Sequence, residues 1–178
     1  MKGADDEGDT TVIWSRSELI RNPHVHIDED VKIDAKEFAG NTRINSLKEA
    51  HVSGNGYLEG TDRFYADLNI RGIMLCPDAI TNKEIEVPFE TDTTEYYSFE
   101  EGDSNDDSVR IVTDEMIDLT PAVIDAILLE VPLQATEARP EDYPSGDGWK
   151  IMSEEEYEKS RKDTIDPRLA KLREWIEK

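Results

Sequence analysis

Val52-Ser-Gly-Asn-Gly-Tyr-Leu58, then Glu59-Gly-Thr-Asp62, then Phe64-Tyr-Ala-Asp-Leu-Asn-Ile70 is the stretch that decides the fold. Two runs of strand-forming residues flank a glycine-containing turn, which is a hairpin signature. In the second run Phe64, Ala66, Leu68 and Ile70 alternate with Tyr65, Asp67, Asn69 and Arg71. Side chains on a strand point to opposite faces with a period of two, so the first set faces a core and the second faces away from it. The same alternation appears at Val25 and Ile27, at Val31 and Ile33, and at Ile85, Val87 and Phe89. An α+β fold is predicted: an antiparallel sheet or partly closed β-barrel with short flanking helices and a C-terminal helix.

The helices are marked by their caps. Val12-Ile-Trp14 reads as a strand, and Ser15-Arg-Ser-Glu18 is a capping-box pattern opening a short helix that Asn22-Pro23 ends. Asp34-Ala-Lys-Glu37 caps one helical turn, stopped by Gly40. In Asp118-Leu-Thr-Pro-Ala-Val-Ile-Asp-Ala-Ile-Leu-Leu-Glu-Val-Pro-Leu-Gln134, Thr120 is placed as N-cap and Pro121 at the first helical position. Val123, Ile124, Ile127 and Leu128 form its apolar stripe, and Glu130-Val-Pro-Leu133 reads as a short edge strand. Ser153-Glu-Glu-Glu156 is a second capping box, and Asp166-Pro167 caps a last helix. Residues 1–10 are expected to be a disordered acidic tail, 11–178 a single domain, and 100–108 and 135–148 flexible loops.

Charge is the strongest compositional signal. The 178 residues hold 42 acids against 20 bases, a formal net charge of −22. Such a surface repels nucleic acid and anionic membrane at long range and attracts a basic partner; it also favours solubility by itself. The stretch 84–118 has thirteen acids and one base, whereas 161–178 has six bases against four acids. One cysteine excludes an intramolecular disulfide framework and fits a reducing compartment. The first ten residues lack the apolar core of a signal peptide, and no apolar run reaches transmembrane length. A cytoplasmic, soluble protein without a membrane partner is the expectation.

The ordered set Trp14-Ser-Arg-Ser-Glu-Leu19, Ile73-Met-Leu-Cys76, Ile85-Glu-Val-Pro-Phe89, Glu95-Tyr-Tyr97, the Asp118–Gln134 stretch, Gly148-Trp149 and Asp166-Pro-Arg-Leu-Ala-Lys-Leu-Arg173 resembles the YceD-like family of large ribosomal RNA subunit accumulation proteins. The likeness runs roughly over 12–178. It implies a non-enzymatic factor supporting accumulation of 23S rRNA and large ribosomal subunit biogenesis, with a pre-ribosomal large-subunit particle or rRNA as partner. The family's genes commonly sit beside that for ribosomal protein L32, which implies a basic ribosomal protein as a second kind of partner. An acidic adaptor or chaperone for such a protein is therefore the alternative reading, and a metal-dependent RNA-processing enzyme a third.

Candidate chemistry is sparse. Many members of that family carry paired cysteines, linked to a suggested metal site; this chain has only Cys76. A structural zinc takes about four nitrogen or sulfur ligands. His24 and His26 share a strand face, but with His51 they read better as ordinary surface histidines, so no metal and no cofactor is expected. Asp103-x-Asn105-x-Asp107 resembles the start of a calcium loop, yet Ser108 stands where glycine is needed, so a solvated loop is the reading. No nucleophile elbow, phosphate-binding loop or dinucleotide fingerprint occurs, and no catalytic residue is assigned. The candidate partner- or RNA-binding residues are Arg168, Lys171 and Arg173, in a terminal segment of net positive charge. Leu169, Leu172 and Ile176 give that segment helical spacing, which suits either a docking helix or a helix packed on its own sheet.

Overall fold

A computed structural model of the protein describes residues 12–100 and 109–163. The chain divides into two compact units, Met1–Pro77 with Glu84–Ala135 and Asp78–Lys83 with Thr136–Lys178.

The larger unit is built on an open five-stranded sheet. Strands β2 (His24–Asp30), β3 (Ser46–Glu59), β4 (Arg63–Pro77), β5 (Glu84–Ser98) and β6 (Val109–Ile111) lie in that order. Of the two predicted arrangements, the sheet forms and does not close. The hairpin is the expected one: Gly60, with φ at +67°, makes the turn between β3 and β4 in a conformation that costs a residue without Cβ little. β4 runs on beyond its alternating stretch, and Met74 and Cys76 keep the buried phase past Ile70. Pairing is antiparallel except for β6, which lies parallel to Tyr96–Ser98 of β5.

β1 (Ile13–Ser15) pairs with β7 (Met116–Asp118), and α1 (Arg16–Arg21) follows with the predicted box, Ser15 capping it and Glu18 bonding back to the Ser15 N–H. The Glu18 carboxyl is held below its ordinary range by the Ser15 hydroxyl and N–H. A 3-10 turn at Ala35–Phe38 carries the Asp34 cap. α2 (Thr120–Glu130) lays Ala122, Val123, Ala126 and Ile127 into the core. Val123, Ala126 and Ile127 join Phe64, Ala66, Leu68 and Ile70 of β4, Val52 and Leu58 of β3, and Ile27 of β2 in one apolar cluster. Burying such a set supplies most of the folding drive.

Three local expectations are corrected. Val31 and Ile33 form no strand: β2 stops at Asp30, opposite His51 of β3, and a last backbone bond from the Val31 N–H to the Ala50 carbonyl at 2.9 Å precedes the turn into Ala35–Phe38. Glu130–Leu133 is no strand: Val131 lies one turn after Ile127 and is buried as the last residue of the helical stripe, and Leu133 is 84% exposed. Thr120 is not the cap of α2. The Leu119 carbonyl already accepts the Val123 N–H, and Asp118 accepts the N–H of Thr120, so the helix begins one residue earlier.

In the smaller unit, Asp78 is buried and organises the loop Asp78–Lys83. Its carboxylate accepts N–H groups from Ile80, Thr81 and Glu137, each at 2.8 Å. The Thr81 N–H, then those of Ile80 and Glu137, hold it well below the usual carboxylate range against the opposing effect of burial. The expected loop 135–148 contains a 3-10 turn at Pro140–Asp142 and half of a small hairpin, β8 (Ser145–Gly146) with β9 (Trp149–Lys150). α3 (Glu154–Asp163) starts at the predicted Ser153–Glu156 box. The acidic tail, the calcium-like loop from Asp103, the Asp166-Pro167 cap and Arg168, Lys171 and Arg173 all lie outside the described residues.

Candidate functional site

The feature of the larger unit with a chemical character of its own is the outer face of the sheet. Alternation sends β4 side chains Phe64 to Ile70 inward and leaves Tyr65, Asp67, Asn69 and Arg71 outside. The register then assembles four cross-strand rows. Asp30, His51, Arg71 and Glu90 form one, and Asp28, Ser53, Asn69 and Asp92 the next. His26, Asn55, Asp67 and Thr94 form the third, and His24, Tyr57, Tyr65 and Tyr96 the last. Glu84 and Glu86 continue the outer side of β5 and are exposed.

Acids dominate this face, and the polar neighbours hold them in place. Asn69 donates to Glu90 at 3.2 Å and to Asp92 at 3.0 Å, and Thr94 donates to Asp67 at 2.8 Å. His51 sits between Asp28, 3.0 Å from Nε2, and Asp30, 2.8 Å from Nδ1. A neutral imidazole can donate to just one of them. Lys48 pairs with Glu86 at 2.7 Å, and that contact keeps its amine above the ordinary lysine range. Bound neighbours restrict the rotamers of these carboxylates, so a cationic partner meets a pattern already ordered.

The aromatic row lies at the end of the face near the β3–β4 turn. Tyr65 and Tyr96 meet edge-on with centroids 5.4 Å apart, and His24 stacks on Tyr57 at 4.7 Å. Tyr65 donates to Glu59 at 2.8 Å, and that bond raises its phenol above the ordinary value. Exposed tyrosines beside carboxylates suit the flat guanidinium and aliphatic stems of basic side chains. At the opposite end, a cleft of about 580 Å³ opens at the β3 bulge. It gathers Lys32, Lys48, His51 and Arg71 with Asp30, Glu49 and Glu90. Gly72 lines it, and a Cβ there would run into the Glu49 carbonyl.

The single base of the acidic 84–118 stretch, Arg110, is committed to structure. It bonds Glu95 at 3.1 Å and Asp125 at 2.8 Å, tying β6 to β5 and α2. Cys76 is buried inside β4, and burial pushes its thiol up, away from the reactive thiolate. His24 and His26 share a face as expected. Among the described residues no three His, Cys, Asp or Glu side chains are placed to share a metal ion. No described helix is long and apolar enough to cross a membrane.

Sequence reading found the acidic excess of 84–118 but not the site, because the face takes residues from four strands spread over residues 24–96. The missed signal was the phase: Glu84, Glu86, Glu90 and Asp92 all share one parity.

Comparison with known proteins adds a family. The model of the large ribosomal RNA subunit accumulation protein YceD matches residues 66–174. The uncharacterized protein YlbN of Bacillus subtilis (strain 168) is 31% identical over 169 residues, covering 92% of this chain and 95% of its own length. No solved structure matches it.

Proposed function

Because the chain belongs to the YceD family of large ribosomal RNA subunit accumulation proteins, we propose that it is a non-enzymatic cytoplasmic factor for accumulation of 23S rRNA and thus for large-subunit biogenesis. Its first contact is a basic protein of the assembling particle rather than RNA itself. The observation that carries this reading is the acidic outer face, where Asp28, Asp30, Asp67, Glu90 and Asp92 meet in adjacent rows. Phosphate approaching that face is repelled, while Lys- and Arg-rich protein surface is steered onto it. A basic ribosomal protein, L32 being the one implied by the family, would be held there until it meets RNA. Arg168, Lys171 and Arg173 then supply a local contact to rRNA within the particle, since they stand in a segment of positive balance.

The test has two parts. Depletion in cells should lower 23S relative to 16S rRNA, and a copy carrying Asp67→Asn, Glu90→Gln and Asp92→Asn should restore the ratio less well than the wild type. Purified protein should be retained by immobilised basic ribosomal protein and pass over naked 23S rRNA. Tight retention on naked 23S rRNA at physiological salt would defeat the protein-first order. An unchanged rRNA ratio on depletion would defeat the role itself.

A further inference from the structure

We propose that the open edge of β5 takes up an extended basic segment of a partner protein as an added strand. The inference rests on the proposed reading that the partner is basic protein, and it assigns where on the sheet that partner docks. β4 covers one side of β5 along its whole length, from Ser98 opposite Arg63 to Glu84 opposite Pro77. On the other side β6 covers only Tyr96–Ser98. From Glu84 to Glu95, no strand lies on that side among the described residues.

The backbone itself shows which groups face outward. The Ser98 carbonyl accepts the Val112 N–H at 2.8 Å on the β6 side, and the Phe99 N–H donates to the Asp62 carbonyl at 2.9 Å on the β4 side. Backbone groups alternate sides along a strand, so even-numbered residues of β5 address the open edge. Pro88 agrees with this phase, since its missing N–H falls where no β4 bond is lost. Glu84, Glu86, Glu90, Asp92 and Thr94 thus present N–H and C=O groups in the pattern that a pairing strand needs.

Acids and a proline at an edge ordinarily guard against unwanted pairing. Here the guard is selective. A second copy of β5 would set Glu84, Glu86, Glu90 and Asp92 against the same four acids, and like charges across a pair are destabilising. A strand with Lys or Arg in that phase reverses the sign. Its alternate side chains would fall on the other face beside Ile85, Val87 and Phe89, which are only half-buried. The edge therefore selects an extended segment alternating basic with β-branched or aromatic residues.

The experiment is amide hydrogen exchange on the full chain with a short peptide alternating Lys and Val. Protection is expected at the N–H groups of Glu86, Glu90, Asp92 and Thr94, with peptides alternating Lys and Gly, or Glu and Val, giving little. Replacing Glu90→Pro and Asp92→Pro together removes two edge donors and should weaken binding by roughly tenfold or more. Glu90→Gln with Asp92→Asn keeps the donors, so amide protection by the peptide should persist at reduced affinity. Should the proline variant unfold, the wild-type protection pattern and the Gln/Asn variant still decide. Equal binding of the Lys-Gly peptide, binding without amide protection on β5, or a β5-mediated dimer would each overturn the proposal. Unchanged rRNA ratios on depletion would sink the proposed function while leaving this peptide result standing.

Discussion

Ile127→Ala tests whether α2 is the lid of the core. Ile127 is fully buried, one turn before Val131 and next to Val123 and Ala126 in the cluster that holds Phe64 and Ile70. The change removes three carbons, and at about 0.8 kcal/mol per buried methylene the transfer loss is about 2.4 kcal/mol. Neighbours on a sheet and a helix collapse only partly, so the residual cavity raises the cost to about 3–4 kcal/mol, inside the usual range of about 2–5 for such truncations. Urea denaturation is the assay. With a slope of about 1–3 kcal/mol per molar, the midpoint should fall by about 1–4 M. Leu129→Ala on the same helix is the control: Leu129 is 85% exposed, and its loss should stay within about 0.5 kcal/mol. Two equal midpoints would refute the reasoning, because the stripe would then not be packed and the exposed side of α2 would be as important as the buried one.

Asp78→Asn should flatten the acid sensitivity of the protein. The folded carboxyl is depressed below its ordinary value near 4, so its contribution is fully present above that value and is lost as pH falls below it through the folded one. The gap in urea midpoint between wild type and variant should be widest near neutrality and close on acidification; a constant gap would show that the three N–H bonds are not the cause. Gly56→Ala should destabilise by about 1–3 kcal/mol, because its Cβ would meet the Phe64 ring and Val25, whereas Gly40→Ala meets nothing within 4 Å and should be mild in thermal melts. Arg168→Glu with Lys171→Glu and Arg173→Glu should reduce co-sedimentation with pre-ribosomal particles while leaving circular dichroism unchanged. Undiminished co-sedimentation would remove that segment from the mechanism and leave the acidic sheet face as its sole candidate.

Local chemistry made much of the fold legible. Capping boxes at Ser15 and Ser153 work within four residues of chain, so they read directly and form as read. The alternation in Phe64–Ile70 likewise fixed which side chains are buried, since a strand has only two faces. Where the readings failed, a distant partner had decided. Val131-Pro-Leu133 offered strand-like residues, but the place of Val131 was set by its packing one turn beyond Ile127. β2 ended at Asp30 because its ladder with β3 stops opposite His51, and nothing in the β2 sequence itself records it.

The sequence by itself determined the α+β class, the inward and outward phases of the central strands, and an acidity that favours a basic partner. Those properties follow from the order and charge of near neighbours. Only the tertiary structure decided that the sheet stays open, that β6 leaves most of the β5 edge uncovered, and that acids from β2, β4 and β5 meet on one face. Register is the reason. It is set by the summed packing of a shared core and by the bulge on β3, so residues tens of positions apart become neighbours through contacts that no local pattern encodes.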